Sequence, residues 1–387
     1  MKFLFASDFA VFRLEEYKGD EHARNTVSEI KELFDKADFT MLNMECVFGK
    51  KEDGEPIPKT GPNMVVEENR TEYIHALKPD ILGMANNHTM DFGAGVYRYT
   101  KKMMEDKGYT LIGAGENIDE AYKPAIIEKD GVSVAVIAVC ENEFGAATLD
   151  ECGTAGFQLG RCAKAIRDAL KNGHKPIMYF HGGNEYNPFP SPMKVELYRH
   201  FIELGAEAVI AMHTHCPQGY EMYEGKPIIY SMGNFFFPRG YANYKSWYYG
   251  YMTELEISDN GISMEIYPYT FDSDKITILK GDEKDKFMKY IEYISEPISD
   301  EAEIEKWFDV WCTTQPFYPN ALAKYEEKFL AGGNNGEKAF LSAKNLFNCE
   351  AHNEVCRRSL NMAYDGRTDE AKKRADLIRK LQDMEII

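Results

Sequence analysis

Residues 81–93 read ILGMANNHTMDFG. A short apolar run, Ile81 to Met84, ends in two amides and an imidazole: Asn86, Asn87 and His88. An apolar run of this length flanked by turn-forming residues reads as a buried strand. Its polar end has two readings. Asn and Gly tolerate left-handed backbone and Asn caps helices, so the segment could be no more than a turn. Alternatively, the strand carries side chains to a site. Asn87-His88-Thr89 also fits a glycosylation sequon, but nothing else in the sequence points to a secreted eukaryotic chain.

The pattern recurs on both sides. From residue 1 to 272, short apolar runs alternate with amphipathic helical patterns, as in layered α/β proteins. Expected strands include 2–6, 39–43, 110–112, 133–139, 176–180, 208–211 and 227–230, with helices over 23–36, 94–107, 161–172 and 192–204. Asp259-Asn260-Gly261 is a hairpin signal between two alternating runs. Over 273–387 the texture becomes a succession of amphipathic helices: 283–294, 300–311, 320–330, 337–348, 350–365 and 368–384, with a Gly/Asn-rich loop at 331–336. This C-terminal extension carries no evident chemistry and reads as a structural cap or a homo-oligomer surface.

A formal net charge of -18 disfavours nucleic acid and acidic membrane surfaces as partners, because both are bound through basic patches. An anionic substrate stays open, since a bound metal inverts the local field. Eight scattered cysteines form no Cys-x-x-Cys pair and read as reduced thiols. The start MKFLFASDF lacks a leader signature, and no stretch is long and apolar enough to span a bilayer, so a cytoplasmic location is expected.

Five expected strands end in groups able to hold a metal: Asp8; Glu45; Asn86, Asn87 and His88; His181 and Glu185; His213 and His215. Ligands of open α/β sheets bind beyond the carboxyl ends of the strands, so residues remote in sequence should meet there. Oxygen and imidazole donors suit zinc, manganese or iron. In an extended segment His213 and His215 would point to one side. Glu45 could bridge two ions, and an imidazole not used as a ligand, such as His88, could pass a proton to a leaving group. Asn234, after the run PIIY, sits in a Gly-containing turn that either reaches the site or packs Phe235 to Phe237 into the core. The five remaining histidines, His22, His75, His174, His200 and His352, lack such company and read as structural.

The stretches LNMECVF, MANNHTMDFG, LIGAGEN, FHGGNEY and GAEAVIAMHTHCPQGYEMYEGKPIIYSMGNFFF, in this order over about residues 1–240, resemble the bacterial capsule-synthesis family of poly-γ-glutamate biosynthesis. That family is similar to calcineurin-like metallophosphoesterases. The resemblance implies a layered α/β sandwich and one or two divalent ions, manganese, zinc or iron. It places Asp8 and His215 on one ion, Glu45 between the two, and Asn87, His181 and His213 on the other. His88 takes the proton-donor role, and Glu185, in a position typical of the family, would compensate for a missing first-strand ligand and serve the catalytic chemistry. Apart from the resemblance, Asn86 and Asn234 are expected at the substrate edge by their place at strand ends, with Asn86 also shaping or capping its loop. Two departures stand out: Ala10 occupies the place of a first-strand histidine, and Glu45 replaces an aspartate. The implied function is a metal-dependent hydrolase or transferase on an anionic γ-glutamyl or phosphate-bearing cell-surface polymer. The alternatives are a plain phosphodiesterase or phosphatase, and a non-catalytic polymer-binding subunit.

Overall fold

The computed structural model describes residues 1–387 apart from 13, 15, 240, 241, 324–332 and 387. The apolar runs form two sheets packed face to face. The first, eight-stranded, has a parallel centre of Lys2–Phe9, Phe39–Met44, Ile81–Gly83 and Thr110–Ile112. The antiparallel strands Tyr249–Ser258, Gly261–Phe271 and Ile276–Ile278 extend it on the side of Lys2–Phe9. The second, six-stranded, is centred on the parallel strands Val132–Cys140, Lys175–His181, Ala208–Met212 and Lys226–Ile229.

Period-two alternation sorts the side chains between layers. Phe3, Phe5, Met41 and Ile81 enter a core shared with Val136, Ile177 and Tyr179 of the second sheet. Their neighbours Leu4, Ala6, Leu42 and Leu82 turn the other way, to Ala23, Ile30, Phe34 and Met104 of the covering helices. Leu159–Lys171 and Pro192–Glu203 cover the second sheet. The result is the layered α/β sandwich expected from the sequence, with both parallel centres ending on one edge. Among the described residues no helix is long and apolar enough to cross a membrane. All eight cysteines are free thiols.

The strands expected from apolar runs are present, most extending by a residue or two. The important extension is the first: it runs to Phe9, so Asp8 lies inside the strand. Ala125–Lys129 and Tyr220–Tyr223 lie outside the expected strands: they are short, largely exposed edge strands whose apolar residues are too few in a row to make a buried-strand signal. The helix expected at 23–36 is two helices, Asp20–Thr26 and Ser28–Lys36, parted at Val27, where the Thr26 hydroxyl reaches the carbonyls of His22 and Asp274. From Gly281 onward every described element is helical. Of the helix expected at 320–330, only the part to Ala323 is described; the 331–336 loop falls outside up to Gly333, where a helix to Asn348 begins. The segment expected as one helix over 368–384 forms two, Thr368–Lys372 and Ala375–Gln382. These helices pack back on the sandwich: Trp307 stacks on Phe189 at 4.7 Å, and the Gln382 amide donates to the Tyr186 carbonyl at 2.8 Å.

One bond ties the two sheets beneath the shared edge. The buried Tyr179 hydroxyl donates to the Ala6 carbonyl at 2.9 Å, two residues before Asp8. There the pairing of the first two strands changes register, between Ala6 and Asp8, and so re-aims Asp8. Tyr179→Phe should lower the unfolding free energy by about 1–2 kcal/mol, because it removes a buried hydrogen bond and orphans the carbonyl. Urea denaturation reads this as a lower midpoint at unchanged slope.

Candidate metal centre

Each candidate residue leaves the sandwich at the same edge. Asp8 pairs in register with Asn43 and Asn234, so three strands bring polar side chains to one level. Asn43 Nδ2 donates to Asp8 Oδ1 at 2.7 Å, and the His213 backbone N–H donates to Asp8 Oδ2 at 3.0 Å. Glu45 follows the second strand. It is fully buried, yet neither carboxylate oxygen has a hydrogen-bond partner among the described residues. Instead its Oε1 lies 3.7 Å from His181 Nε2, 3.9 Å from His215 Nε2 and 4.0 Å from His88 Nε2.

Two overlapping clusters result, Glu45 with His181 and His213, and Asp8 with Glu45 and His215, their ligand atoms within 4.8 Å of one another. Asn87 joins the first, its Oδ1 3.2 Å from His181 Nε2. His213 Nδ1 lies 3.0 Å from that same nitrogen. Two imidazole nitrogens, an amide oxygen and a carboxylate oxygen thus close on one point. A buried carboxylate with no donor to either oxygen, crowded against a second carboxylate and against basic nitrogens, has the chemistry of a divalent-cation site.

The loop after Met212 departs from the extended segment expected. His213 and His215 both have positive φ, 99° and 55°. Non-glycine residues are rarely held there, and such strain clusters at sites where a side chain must be aimed. The twist sends the two imidazoles to different clusters. His213 Nε2 lies 3.7 Å from Glu143, and His215 Nδ1 lies 2.8 Å from Asn234 Oδ1, leaving the opposite nitrogen of each ring facing Glu45's neighbourhood. Orienting partners of this kind fix the tautomer of a ligating histidine.

Electrostatics agree. Burial, then the charges of Asp8 and Glu185, raises the Glu45 carboxyl well above its ordinary value. Burial also raises Asp8. Burial holds His181 and His215 down to about 3 and His213 to about 4, so all three rings are neutral ligands at neutral pH. His88 is lowered by burial and by Lys59. Its Nδ1 lies 2.7 Å from Asp91 Oδ2, while Lys59, itself buried, pairs with Asp91. Glu185 is exposed as a residue, but desolvation of its carboxyl and the charge of Glu143 push it up to about 7.

Two candidates expected to touch substrate are occupied otherwise. The Asn86 side chain donates to the Met44 carbonyl at 2.9 Å and accepts from the His88 N–H and the Thr89 hydroxyl, each at 3.1 Å. It holds the loop that aims Asn87 and His88. Asn234 donates to the Trp247 carbonyl at 3.1 Å and orients His215. Of the histidines left as structural, His75 meets the Tyr109 hydroxyl and His174 the Ser133 hydroxyl.

Sequence reading missed several participants. Asp91 was in view, three residues after His88, but read as a lead into the next helix. Lys59 comes from a loop with no periodic signal. Glu141 joins distant parts: it accepts from the Gly183 N–H at 2.8 Å and the Ala351 N–H at 3.0 Å, and pairs with buried Lys194 at 2.7 Å. Burial opposes its charge, but Lys194 keeps its pKa below the usual value. Gly182 lets this approach occur, since a Cβ there would lie 2.6 Å from Glu141 Cγ.

A raised carboxyl pKa means that the folded state holds the proton more tightly than the unfolded chain, so Glu45 costs stability as pH rises above its unfolded value near 4.5. The three lowered imidazoles act in the opposite direction, but only below about pH 6.5. In chelator-treated protein the three imidazoles and Glu185, pushed up to about 7, are common to wild type and Glu45→Gln, so as pH rises above about 4.5 the thermal midpoint of wild type should fall relative to that of Glu45→Gln. Added manganese or zinc should raise the wild-type midpoint and leave Glu45→Gln unmoved.

Comparison with known proteins covers the stretch of chain that carries these residues. Residues 8–239 match the family model described as Bacterial capsule synthesis protein PGA_cap. The capsule biosynthesis protein CapA of Bacillus anthracis is 27% identical over 204 residues, 50% of this chain and 49% of that protein. The PGA biosynthesis protein CapA of Bacillus subtilis (strain 168) is 23% identical over 242 residues, 62% of this chain and 63% of that protein. The chain thus spans about half to 63% of the length of these relatives. The match includes every candidate ligand and ends before the C-terminal helices.

Proposed function

We propose, from the premise that the chain belongs to the bacterial capsule synthesis protein family, that it is a metal-dependent hydrolase or transferase acting on an anionic cell-surface polymer. The family is one of capsule and poly-glutamate biosynthesis, so a γ-glutamyl chain is the substrate class put forward. The observation that carries the reading is Glu45: a donor-less buried carboxylate shared by two ligand clusters, with His88 at its side.

Asp8, Glu45 and His215 would hold one ion, and Glu45, Asn87, His181 and His213 the other. Bound divalent ions supply Lewis acidity and lower the pKa of water. Ala10, at the place of the related fold's first-strand histidine, adds no donor, so Asp8, Glu45 and His215 would be the three side chains holding an ion in the first cluster. Three ligands leave coordination open, as catalytic sites do and closed structural sites do not. This favours chemistry over a purely scaffolding role.

The chain's own part is orientation and proton transfer. Asp91 Oδ2, 2.7 Å from His88 Nδ1, favours a proton on that nitrogen, while burial and the Lys59 ammonium, 3.2 Å from the same nitrogen, keep the resting ring neutral by lowering its pKa. Nε2 then faces the shared carboxylate; it takes up the proton lost by the attacking water, amine or hydroxyl and delivers it to the leaving amine or alcohol oxygen. Lys59 locks Asp91 in place, and Met64 N–H donates to the same carboxylate at 2.6 Å. With water as acceptor the outcome is hydrolysis; with an amine or hydroxyl it is transfer.

The test is a substrate panel on manganese-loaded protein: γ-glutamyl oligomers, and bis(p-nitrophenyl) phosphate as a phosphodiester. Turnover of γ-glutamyl oligomers supports the reading, turnover of the phosphodiester alone replaces it with a phosphodiesterase, and turnover of neither by metal-loaded protein refutes it. His88→Asn should lower kcat by about 10²–10⁴ while metal content, measured by elemental analysis, stays at the wild-type level.

A further inference from the structure

The metal centre is strongly acidic. Asp8, Glu45, Glu143 and Glu185 surround it, in a chain whose net charge is -18. An anionic substrate has to be met by cations beyond the ions themselves. Two lysines lie near, and both are committed: Lys59 to Asp91 and Lys194 to Glu141. Arg239 is different. Among the described residues it forms no salt bridge, and its Nε is buried without a hydrogen-bond partner.

Its position is fixed by stacking. The guanidinium lies over the Trp247 ring, 3.6 Å from the centroid. Trp247 is buried, anchored by its indole N–H donating to the Phe237 carbonyl at 2.8 Å, and its ring lies 4.8 Å from that of His215. A candidate ligand imidazole and a guanidinium therefore pack on the same indole. Tyr186 completes the group, its ring 6.2 Å from His215 and 6.1 Å from Trp247, in a left-handed backbone conformation at φ 65°. Arg239 lies within hydrogen-bonding reach of the Tyr186 hydroxyl and attracts the Glu185 carboxylate, neither contact being a full ion pair. A stacked guanidinium is weakly hydrated and presents a planar fork suited to two oxygens of a carboxylate or phosphate. Stacking also removes much of the side-chain entropy that binding would otherwise cost.

We propose that Arg239, held on Trp247 beside His215, is the substrate-anchoring residue of this centre, binding an oxyanion that neighbours the bond to be broken. In a γ-glutamyl chain that oxyanion is the α-carboxylate next to the γ-amide; in a phosphate-bearing polymer it is a phosphate. Arg239 thereby sets the register of the polymer on the centre and selects anionic chains over neutral ones. The inference rests on the proposed metal-dependent function and adds to it the feature of the substrate that is recognised.

The experiment is calorimetric titration of manganese-loaded protein, wild type, Arg239→Gln and Arg239→Lys, with γ-glutamyl-glutamate in one arm and inorganic phosphate in the other. Manganese alone is titrated into each chelated protein as a separate measurement. The expected result is an unchanged manganese affinity and stoichiometry in all three, with anion affinity reduced tenfold or more in Arg239→Gln. Arg239→Lys should fall between, because it keeps the charge and loses the fork. A loss confined to the dipeptide identifies a carboxylate, and a loss confined to phosphate identifies a phosphate. Equal anion affinity in wild type and Arg239→Gln, at full manganese loading, overturns the anchoring role and leaves the metal reading standing. Failure of the wild type to bind manganese refutes that reading itself. Should Arg239→Gln fold poorly, Arg239→Lys decides alone, and undiminished anion binding in it counts against the proposal.

Discussion

Glu45 holds its carboxylate at full burial with no donor to either oxygen and three imidazole nitrogens 3.7–4.0 Å away. A charge so placed costs several kcal/mol unless a cation or a proton meets it. Much of the molecule answers that constraint. Both sheets end their parallel strands on the same edge, the first strand shifts register to aim Asp8, and the loop after Met212 accepts two left-handed histidines. The cost of this strain and crowding is carried by a large, dry core between the sheets, where Phe5, Met41, Ile177 and Tyr179 lie fully or almost fully buried.

The fold was legible because strands buried on both faces write themselves as apolar runs, and the helices between them keep a 3.6-residue period. The candidate ligands were legible for a related reason. A polar residue at the end of an apolar run has nowhere to go but the sheet edge, so the strand ends offered Asp8, Glu45, Asn86, Asn87, His88, His181, Glu185, His213 and His215; the resemblance to the capsule-synthesis family singled out Asp8, Glu45, Asn87, His181, His213 and His215 as ligands. The structure brings all six together. What the pattern could not supply is pairing within the group. The period-two rule put His213 and His215 on one side, whereas positive φ angles part them between two clusters.

The residues that orient the ligands were harder to see, since their partners lie far away in sequence. Asn234 is linked to His215 from 19 residues off, and Asn43 to His181 from 138. Asn86 and Asn234 read as amides free for substrate, yet both are engaged inside the protein. Lys59 and Arg239 carry no local signature at all: one comes from a loop, the other from a turn after an aromatic run. The charge they bring is meaningful only once the tertiary fold has surrounded them with carboxylates.

The C-terminal helices showed no chemistry in sequence, yet they hold the loops of the centre. Glu141 accepts from the Ala351 N–H, Glu350 accepts from Asn142 at 2.7 and 3.0 Å, and the Gln382 amide donates to the Tyr186 carbonyl at 2.8 Å. That last bond joins residues 196 apart. A chain leaving the ribosome makes its strands and all its candidate ligands first, and Tyr186 waits for those further residues before its loop is pinned. Synthesis itself thus delays completion of the site: a nascent chain carries the ligands well before it carries the helices that hold their loops.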